Sequence, residues 1–297
     1  ATDFPNDPII QNIIGAINVG LGRYSESVIY YNRAVSLNPN FTDAYNNLGN
    51  SLNMLGKYDD AITSLEKSIA LNPEFAEAHN NLGNALNGLG QYSKAVVSYN
   101  QAIKYKFDYA EAYNNLGTVL KNLGRHEKAI NKFNKAIELS PRYADAYSNL
   151  GATFRELAKY EEAIFNLNKA IELHPDHVSA YYNLGTSFRE SNQYDAAITN
   201  YNKAIELMPE NTEFYQNLGL AHTTLGNKNK AVNCYLKALV LQPNSVDAHY
   251  HLTLIYEYRG SERQIAQMAA LSQNSKLPSK DKQKICFALA KVYENLF

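Results

Sequence analysis

The sequence predicts an all-α solenoid built from antiparallel helix pairs that stack one on the next. The first observation is the pair Leu-Gly, which recurs six times at a step of 34 residues. The second is an Ala that follows each of these Gly residues by 12 positions, and the third is a Pro that closes most of the periods. The pairs begin at Leu48, Leu82, Leu116, Leu150, Leu184 and Leu218. One pattern repeated in phase indicates a repeat architecture far more strongly than a single match.

The period divides the chain into a lead-in, 1–7, and seven full units. The units are 8–41, 42–75, 76–109, 110–143, 144–177, 178–211 and 212–245. A divergent eighth unit is predicted over 246–279, because Ile265, Ala269 and Ser272 replace its usual Ala, aromatic and Ala. The segment 280–297 has the pattern of one more helix, which either caps the eighth unit or begins a further domain. Since it carries no helix-stop signal, we expect the chain to be part of a longer protein.

Each period is predicted to hold two helices, as the fourth unit, 110–143, illustrates. Glu111 lies in the first turn of helix A, where the helix dipole favours an acid. The buried face of helix A is predicted to be Tyr113, Leu116, Gly117 and Leu120. Helix B is predicted over 127–139, and Pro141 prevents its continuation. Its buried face is predicted to be Ala129, Phe133 and Ala136.

The turn from helix A to helix B needs a residue in the left-handed conformation, which Gly adopts without strain. The residues at this position are Gly22, Gly56, Gly90, Gly124 and Gly226. Asn192 in the sixth unit also tolerates this conformation. Ala158 in the fifth unit does not, so we expect a different helix end there. Phe107 stands where a Pro closes other units, and a looser turn is expected into the fourth unit.

A 34-residue unit with this pattern resembles the tetratricopeptide repeat, and the resemblance covers roughly four-fifths of the chain. It implies a right-handed superhelix in which helices A line a concave groove and helices B form the convex face. It also implies a scaffold that binds proteins or extended peptides and has no catalytic machinery of its own.

Asn occupies the groove-facing position directly before each Leu-Gly pair. These six residues, the Asn ladder, are Asn47, Asn81, Asn115, Asn149, Asn183 and Asn217, with Asn50 and Asn84 one turn later. Asn is a mediocre residue inside a helix, whereas its amide can pair with the main chain of an extended peptide. The row is similar to the asparagine ladder in the repeats of O-GlcNAc transferase, which implies that these six residues grip a peptide backbone. The alternative is that they bridge neighbouring helices A, and both roles can hold together.

A second groove-facing position carries a mixed row of polar residues. The row is Asn53, Asn87, Lys121, Arg155 and Arg189. Its last three members form a basic strip, which favours an acidic or phosphorylated partner over a basic one. The alternative is a solvated face, because Glu156 and Glu190 directly follow the two arginines.

Composition argues against several other kinds of function. The net charge is −1 and the pI is about 6.7, which does not favour nucleic acid or an anionic membrane as partner. No apolar run approaches the ~20 residues that span a bilayer, and no secretion signal is present, so we expect a cytoplasmic protein. Cys234 and Cys286 match neither a disulfide nor a zinc motif. No catalytic motif or phosphate loop is found, so we expect no enzyme activity, cofactor or metal in this chain.

Two functions therefore stand side by side. The first is a scaffold whose groove holds an extended peptide on the Asn ladder. The second is the substrate-recognition arm of a larger transferase, since the layout resembles O-GlcNAc-type glycosyltransferases and bacterial sulfotransferases with tetratricopeptide arrays. Self-association through the terminal units is left open.

Overall fold

The computed structural model of the chain describes residues 6–258 and 262–296, and within these ranges every secondary-structure element is an α-helix. Parts of the predicted lead-in, eighth unit and final helix, at 1–5, 259–261 and 297, lie outside the described residues. The helices are α1 Pro8–Gly20, α2 Tyr24–Leu37, α3 Thr42–Met54, α4 Tyr58–Leu71, α5 Ala76–Gly88, α6 Tyr92–Tyr105, α7 Ala110–Asn122, α8 His126–Leu139, α9 Ala144–Glu156, α10 Tyr160–Leu173, α11 Val178–Glu190, α12 Tyr194–Leu207, α13 Thr212–Thr224, α14 Lys228–Leu241, α15 Val246–Ile255, α16 Glu262–Ser272 and α17 Ser279–Leu296. Across the described ranges, no helix combines the length and hydrophobicity required to cross a bilayer.

The chain divides into two compact parts, an N-terminal half, residues 1–153, and a C-terminal half, residues 154–297. The boundary between them falls inside α9. In the N-terminal half, helices A are α1, α3, α5 and α7, and each packs against the helix B that follows it. Each of the helices α2, α4 and α6 also packs against the next helix A, and successive helices A touch one another. The C-terminal half repeats this pattern through α10–α15. The predicted all-α architecture of antiparallel helix pairs is confirmed.

Within each pair, a glycine of helix A faces a large side chain of helix B. A Cβ atom added to Gly117 would lie 2.6 Å from the ring of Phe133, and one added to Gly83 would lie 2.5 Å from the ring of Tyr99. The same relation joins Gly15 to Tyr31, Gly49 to Leu65, Gly185 to Tyr201 and Gly219 to Tyr235. Phe133 is fully buried, as are Ala129 and Ala136 on the same helix face. The predicted buried face of helix B is therefore correct.

The turns after helix A share one conformation, including the turn for which a different end was expected. The five turn glycines have φ of 70° to 74°, Asn192 has φ of 63°, and Ala158 has φ of 57°. The Ala158 N–H donates to the Arg155 carbonyl at 2.8 Å, just as the Gly124 N–H donates to the Lys121 carbonyl. The expectation for Ala158 was wrong, because packing of the next helix overrides a local steric cost of about 1–2 kcal/mol.

The turn at Phe107 is also regular. Lys106, which ends α6, has φ −137° and ψ 90°, and the corresponding Asn72 at the end of α4 has φ −138° and ψ 94°. Phe107 itself is 78% exposed. The expectation of a looser turn was therefore wrong, since the extended residue that ends helix B sets the turn whether or not a Pro follows.

At the C-terminal end of the described residues, the helix pairing changes. Helix α15 has 10 residues where α13 has 13, and α17 packs against both α15 and α16. Ile285, Ala288 and Val292 of α17 are fully buried in a core that also contains Leu252 and Met268. Helix α17 thus covers an apolar side of the α15–α16 region.

The strained turn offers a test of this account. Ala158→Gly is expected to raise the free energy of unfolding by about 0.5–1 kcal/mol, because relief of the left-handed strain exceeds the added backbone entropy of Gly. Urea denaturation followed by circular dichroism measures the change. Asn192→Gly serves as the control and should gain less, since Asn already tolerates this conformation. A loss of stability in Ala158→Gly would contradict the account.

Candidate functional site

The Asn ladder lies on helices A, with one member in each of α3, α5, α7, α9, α11 and α13. Its six side chains are all half-buried, neither sealed in the core nor fully in solvent. Asn50 and Asn84 lie one turn further along α3 and α5 and are also half-buried. We call the surface that helices A present in each half of the chain the helix A face.

In the N-terminal half, each ladder residue donates a hydrogen bond to the preceding helix A. The bonds run from Asn47 Nδ2 to Asn12 Oδ1 at 3.1 Å, Asn81 to Asn46 at 2.9 Å, Asn115 to Asn80 at 3.1 Å, and Asn149 to Asn114 at 2.9 Å. Each bond spans 35 residues, one more than the repeat, so the acceptors form a second row one position before the ladder. The internal bridges that the sequence left as an alternative are therefore present.

In one of these bridges, a carboxylate fixes the direction of the amides. Asn80 donates its Nδ2 to Glu111 Oε1 at 3.0 Å, and a carboxylate can only accept. Asn80 must then turn its Oδ1 toward Asn115, which donates to it and also to Asn84 Oδ1 at 3.1 Å. Both amide hydrogens of Asn115 are used inside the protein. What Asn115 can still offer to a ligand is its carbonyl oxygen.

In the C-terminal half, Asn217 reaches the same result with different partners. Asn217 Nδ2 donates to the Tyr182 hydroxyl at 3.2 Å and to the backbone carbonyl of Glu213 at 3.0 Å. The Tyr182 hydroxyl donates in turn to the Glu213 carboxylate. Burial raises the pKa of Tyr182, and the hydrogen bond to Glu213 raises it further, so the phenol stays protonated at neutral pH. Asn217, like Asn115, has its amide hydrogens committed within the fold.

Tyrosine hydroxyls link the buried core between the two helices of a pair to the helix A face. The Tyr99 hydroxyl donates to Asn84 Oδ1 at 2.7 Å, although the ring of Tyr99 is buried against Gly83. Burial and then the charge of Glu111 raise the pKa of Tyr99, and the same two causes raise the pKa of Tyr143 to about 12. These phenols remain donors across the physiological pH range. Among the described residues, no group of three or more His, Cys, Asp or Glu is placed to hold a metal ion.

The second row of the helix A face is also engaged within the protein. Asn53 Nδ2 donates to the backbone carbonyl of Asn81 at 2.8 Å, which makes it a further bridge between helices A. Arg155 and Arg189 both approach Glu190 Oε1, at 3.5 Å and 3.3 Å. Lys121 and Asn87 are half-buried in α7 and α5. The arginines of the basic strip therefore already share a carboxylate of their own chain.

Sequence reasoning did not identify the role of Glu111. Glu111 was interpreted only as a favourable charge in the first turn of α7, yet its carboxylate orients Asn80. A usable signal was present, because Asp43, Glu77 and Glu111 recur at the same repeat position. The structure places the carboxylate of one of them, Glu111, against Asn80. An acceptor that recurs beside a row of amides indicates a directed hydrogen-bond network.

The bridges should contribute measurable stability. Asn81→Ala leaves Asn46 Oδ1 without its donor in a side chain only 8% exposed, and we expect a loss of about 1–3 kcal/mol. A double-mutant cycle of Asn46→Ala with Asn81→Ala should give a coupling of about 0.5–1.5 kcal/mol in urea denaturation. The control cycle of Asn46→Ala with Asn115→Ala joins residues that share no bond and should be additive. Equal coupling in both cycles would show that the bridge is not energetically distinct.

Family models of the tetratricopeptide repeat match the chain without a gap from residue 10 to residue 260. The model described as a TPR repeat matches residues 49–90, 83–124, 185–226 and 223–260. Models described as a tetratricopeptide repeat match residues 10–41, 30–63, 108–176 and 166–199. Comparison with curated protein sequences gives no match.

Several solved structures share the fold at low sequence identity. PilF of Pseudomonas aeruginosa is 22% identical with a TM-score of 0.62, over 70% of this chain and 94% of its own. The APC/C hetero-tetramer Cut9–Hcn1 contains a chain that is 18% identical with a TM-score of 0.68, over 90% of this chain and 52% of its own. MamA of Desulfovibrio magneticus RS-1 is 24% identical with a TM-score of 0.51, over 57% of this chain and 96% of its own. Because one repeat model alone matches more than half of the residues, and the helix pairs recur at the same step, the chain belongs to the tetratricopeptide-repeat family.

Proposed function

We propose that this protein is a peptide-binding scaffold whose helix A face holds an extended segment of a partner by its main chain. The observation that carries the proposal is the direction of the ladder amides. In Asn115 and Asn217, both amide hydrogens bond within the protein, so the carbonyl oxygens are the groups left to meet a ligand. A row of fixed acceptors suits the backbone N–H groups of a peptide.

The bridges also lower the cost of binding. A free Asn side chain on a helix surface samples several rotamers, and ordering a flexible side chain on binding costs about 0.5–1.5 kcal/mol. Bonds to the preceding helix A hold five ladder side chains in place before any ligand arrives, those of Asn47, Asn81, Asn115, Asn149 and Asn217. Bridging and binding are therefore complementary, since the first orients the group that the second uses.

The spacing of the ladder suits a ligand in the polyproline II conformation. Helices in contact have axes about 8–10 Å apart. Successive helices A touch one another from α1 to α7 and from α11 to α15. A polyproline II chain advances about 9 Å in each turn of three residues, so every third N–H points in the same direction. One ladder oxygen would then meet one peptide N–H in every three residues. Recognition of the main chain in this way imposes little side-chain preference.

The preference for an acidic ligand, which the basic strip predicts, becomes a weaker proposal. A ligand carboxylate at Arg155 and Arg189 would compete with Glu190, which already lies within 3.5 Å of both guanidinium groups. We therefore expect ligand acidity to add little affinity on the helix A face. The recognition arm of a larger transferase would use the same surface, and that alternative stays a prediction.

The test compares two triple variants of similar stability. Asn81→Ala, Asn115→Ala and Asn149→Ala together remove ladder oxygens, while Gly56→Ala, Gly90→Ala and Gly124→Ala destabilise turns outside the helix A face by about 1–2 kcal/mol each. Binding of a randomised, unstructured peptide pool is measured at a temperature where circular dichroism shows both variants folded. We expect the turn variant to bind like the wild type and the ladder variant to lose at least about tenfold in affinity.

A second arm probes the ligand rather than the protein. A peptide selected from the pool is N-methylated at one position at a time, which removes one backbone donor in each version. Affinity should fall at every third position and hold between them. Equal loss in the two triple variants, or a flat N-methyl profile, would contradict backbone recognition by the ladder.

A further inference from the structure

A cavity opens between helices α6 and α8, with α7 beneath it, and all three helices belong to the N-terminal half. Its volume is about 390 Å³, and its apolar lining includes Val96 of α6 with Leu116 and Leu120 of α7. Both leucines are at most 5% exposed, so they form the floor. The cavity lies between two helices B and does not include the Asn ladder.

Three cations surround this apolar floor. Arg125, Lys128 and Lys132 lie at the start and along one side of α8, and no residue that lines the cavity is acidic. Arg125 and Lys128 are exposed, while the Lys132 ammonium stands 5.5 Å from the centre of the Tyr113 ring. In the described part of the chain, none of these three forms an ion pair with a carboxylate.

Three other lysines on helices B are each paired with a glutamate of the same helix, whereas Lys128 and Lys132 are not. Lys135 on α8 itself bonds to Glu138 at 2.6 Å, and Lys169 and Lys203 bond at 2.9 Å to the Glu three residues further along. Cations in the first turn of a helix are also disfavoured by its dipole. Among the described residues, neither Lys128 nor Lys132 makes an ion pair within α8, so such pairing does not account for the charges around the cavity.

The combination is confined to the fourth unit. At the position of Lys128, the other full units carry Glu26, Asp60, Lys94, Glu162, Ala196 and Lys230. At the position of Lys132, they carry Tyr30, Ser64, Ser98, Asn166, Asn200 and Cys234. No other full unit has cations at all three positions, since Lys94 and Lys230 are each accompanied by neutral residues. A local charge cluster around a cavity differs from the general surface of the repeats.

We propose that this cavity docks an acidic segment of a partner protein. An apolar side chain of the segment fills the space above Leu116 and Leu120, and flanking carboxylates pair with Arg125, Lys128 and Lys132. Burial of an apolar side chain supplies affinity, and the charges supply specificity and steer the encounter. The site is separate from the helix A face, so the two surfaces can bind different segments.

The probe is a fluorescein-labelled peptide with a single Phe between two runs of Glu, measured by fluorescence anisotropy. At about 0.05 M salt we expect saturable binding that weakens at least about tenfold at about 0.5 M, because salt screens the charge pairs. A peptide with Ser in place of Phe carries the charge without the apolar anchor, and a single-stranded oligonucleotide carries its charge on phosphates instead of carboxylates. Both should bind at least about tenfold more weakly.

Three variants locate the binding. Lys128→Glu with Lys132→Glu reverses the cluster, and Asn131→Trp blocks the mouth of the cavity without a change of charge. Lys135→Glu with Lys203→Glu makes the same change in net charge elsewhere. We expect the first two to lose at least about tenfold in affinity and the third to bind like the wild type, with folding verified by circular dichroism.

The opposite results would overturn the proposal. These are absence of binding to the wild type, equal affinity in the charge-reversed and control proteins, or equal affinity for the Phe and Ser peptides. The triple ladder variant of the helix A face should still bind the acidic probe. This last measurement separates failure of the cavity from failure of the peptide-binding groove.

Discussion

Close contact between the two helices of each pair is the constraint on which the rest of this protein depends. Glycine on helix A leaves no Cβ, and a ring or a leucine of helix B occupies the space, as Phe133 does against Gly117 at what would be 2.6 Å. This contact buries the aromatic ring and places its hydroxyl, in Tyr99 for example, at the edge of the helix A face. The position of the Asn rows follows from it, because stacked pairs bring successive helices A together.

The helix pairs could be predicted from the sequence because their determinants recur at a fixed step. The Leu-Gly pairs, the Ala positions and the turn glycines each mark a contact that every repeat makes with its neighbour. The two errors, at Ala158 and Phe107, came from judging single residues by local preference. In the structure the stacking of helices imposes the same turn at both places, because the free energy of stacking outweighs the local cost of one unfavourable residue.

The candidate site was predictable as a row of residues but not as a set of directed groups. The ladder positions follow from the period alone. The direction of each amide depends on partners that change from repeat to repeat, Glu111 by way of Asn80 in one unit and Tyr182 in another. The pairing of charges was equally hidden in the sequence. Glu190 pairs with the arginines of the helix A face, while Arg125, Lys128 and Lys132 have no carboxylate partner among the described residues.

The central claim is that the ladder amides donate inward and accept from a ligand. Nuclear magnetic resonance of the ladder side chains in the free and peptide-bound protein tests it most directly. The account predicts that the side-chain amide hydrogens of Asn115 exchange slowly in the free protein and do not change on binding, because both are already bonded. It also predicts that the Cγ resonance of Asn115 shifts when the peptide binds. Rapidly exchanging amide hydrogens in the free protein, with a Cγ resonance unmoved by a saturating peptide, would contradict it.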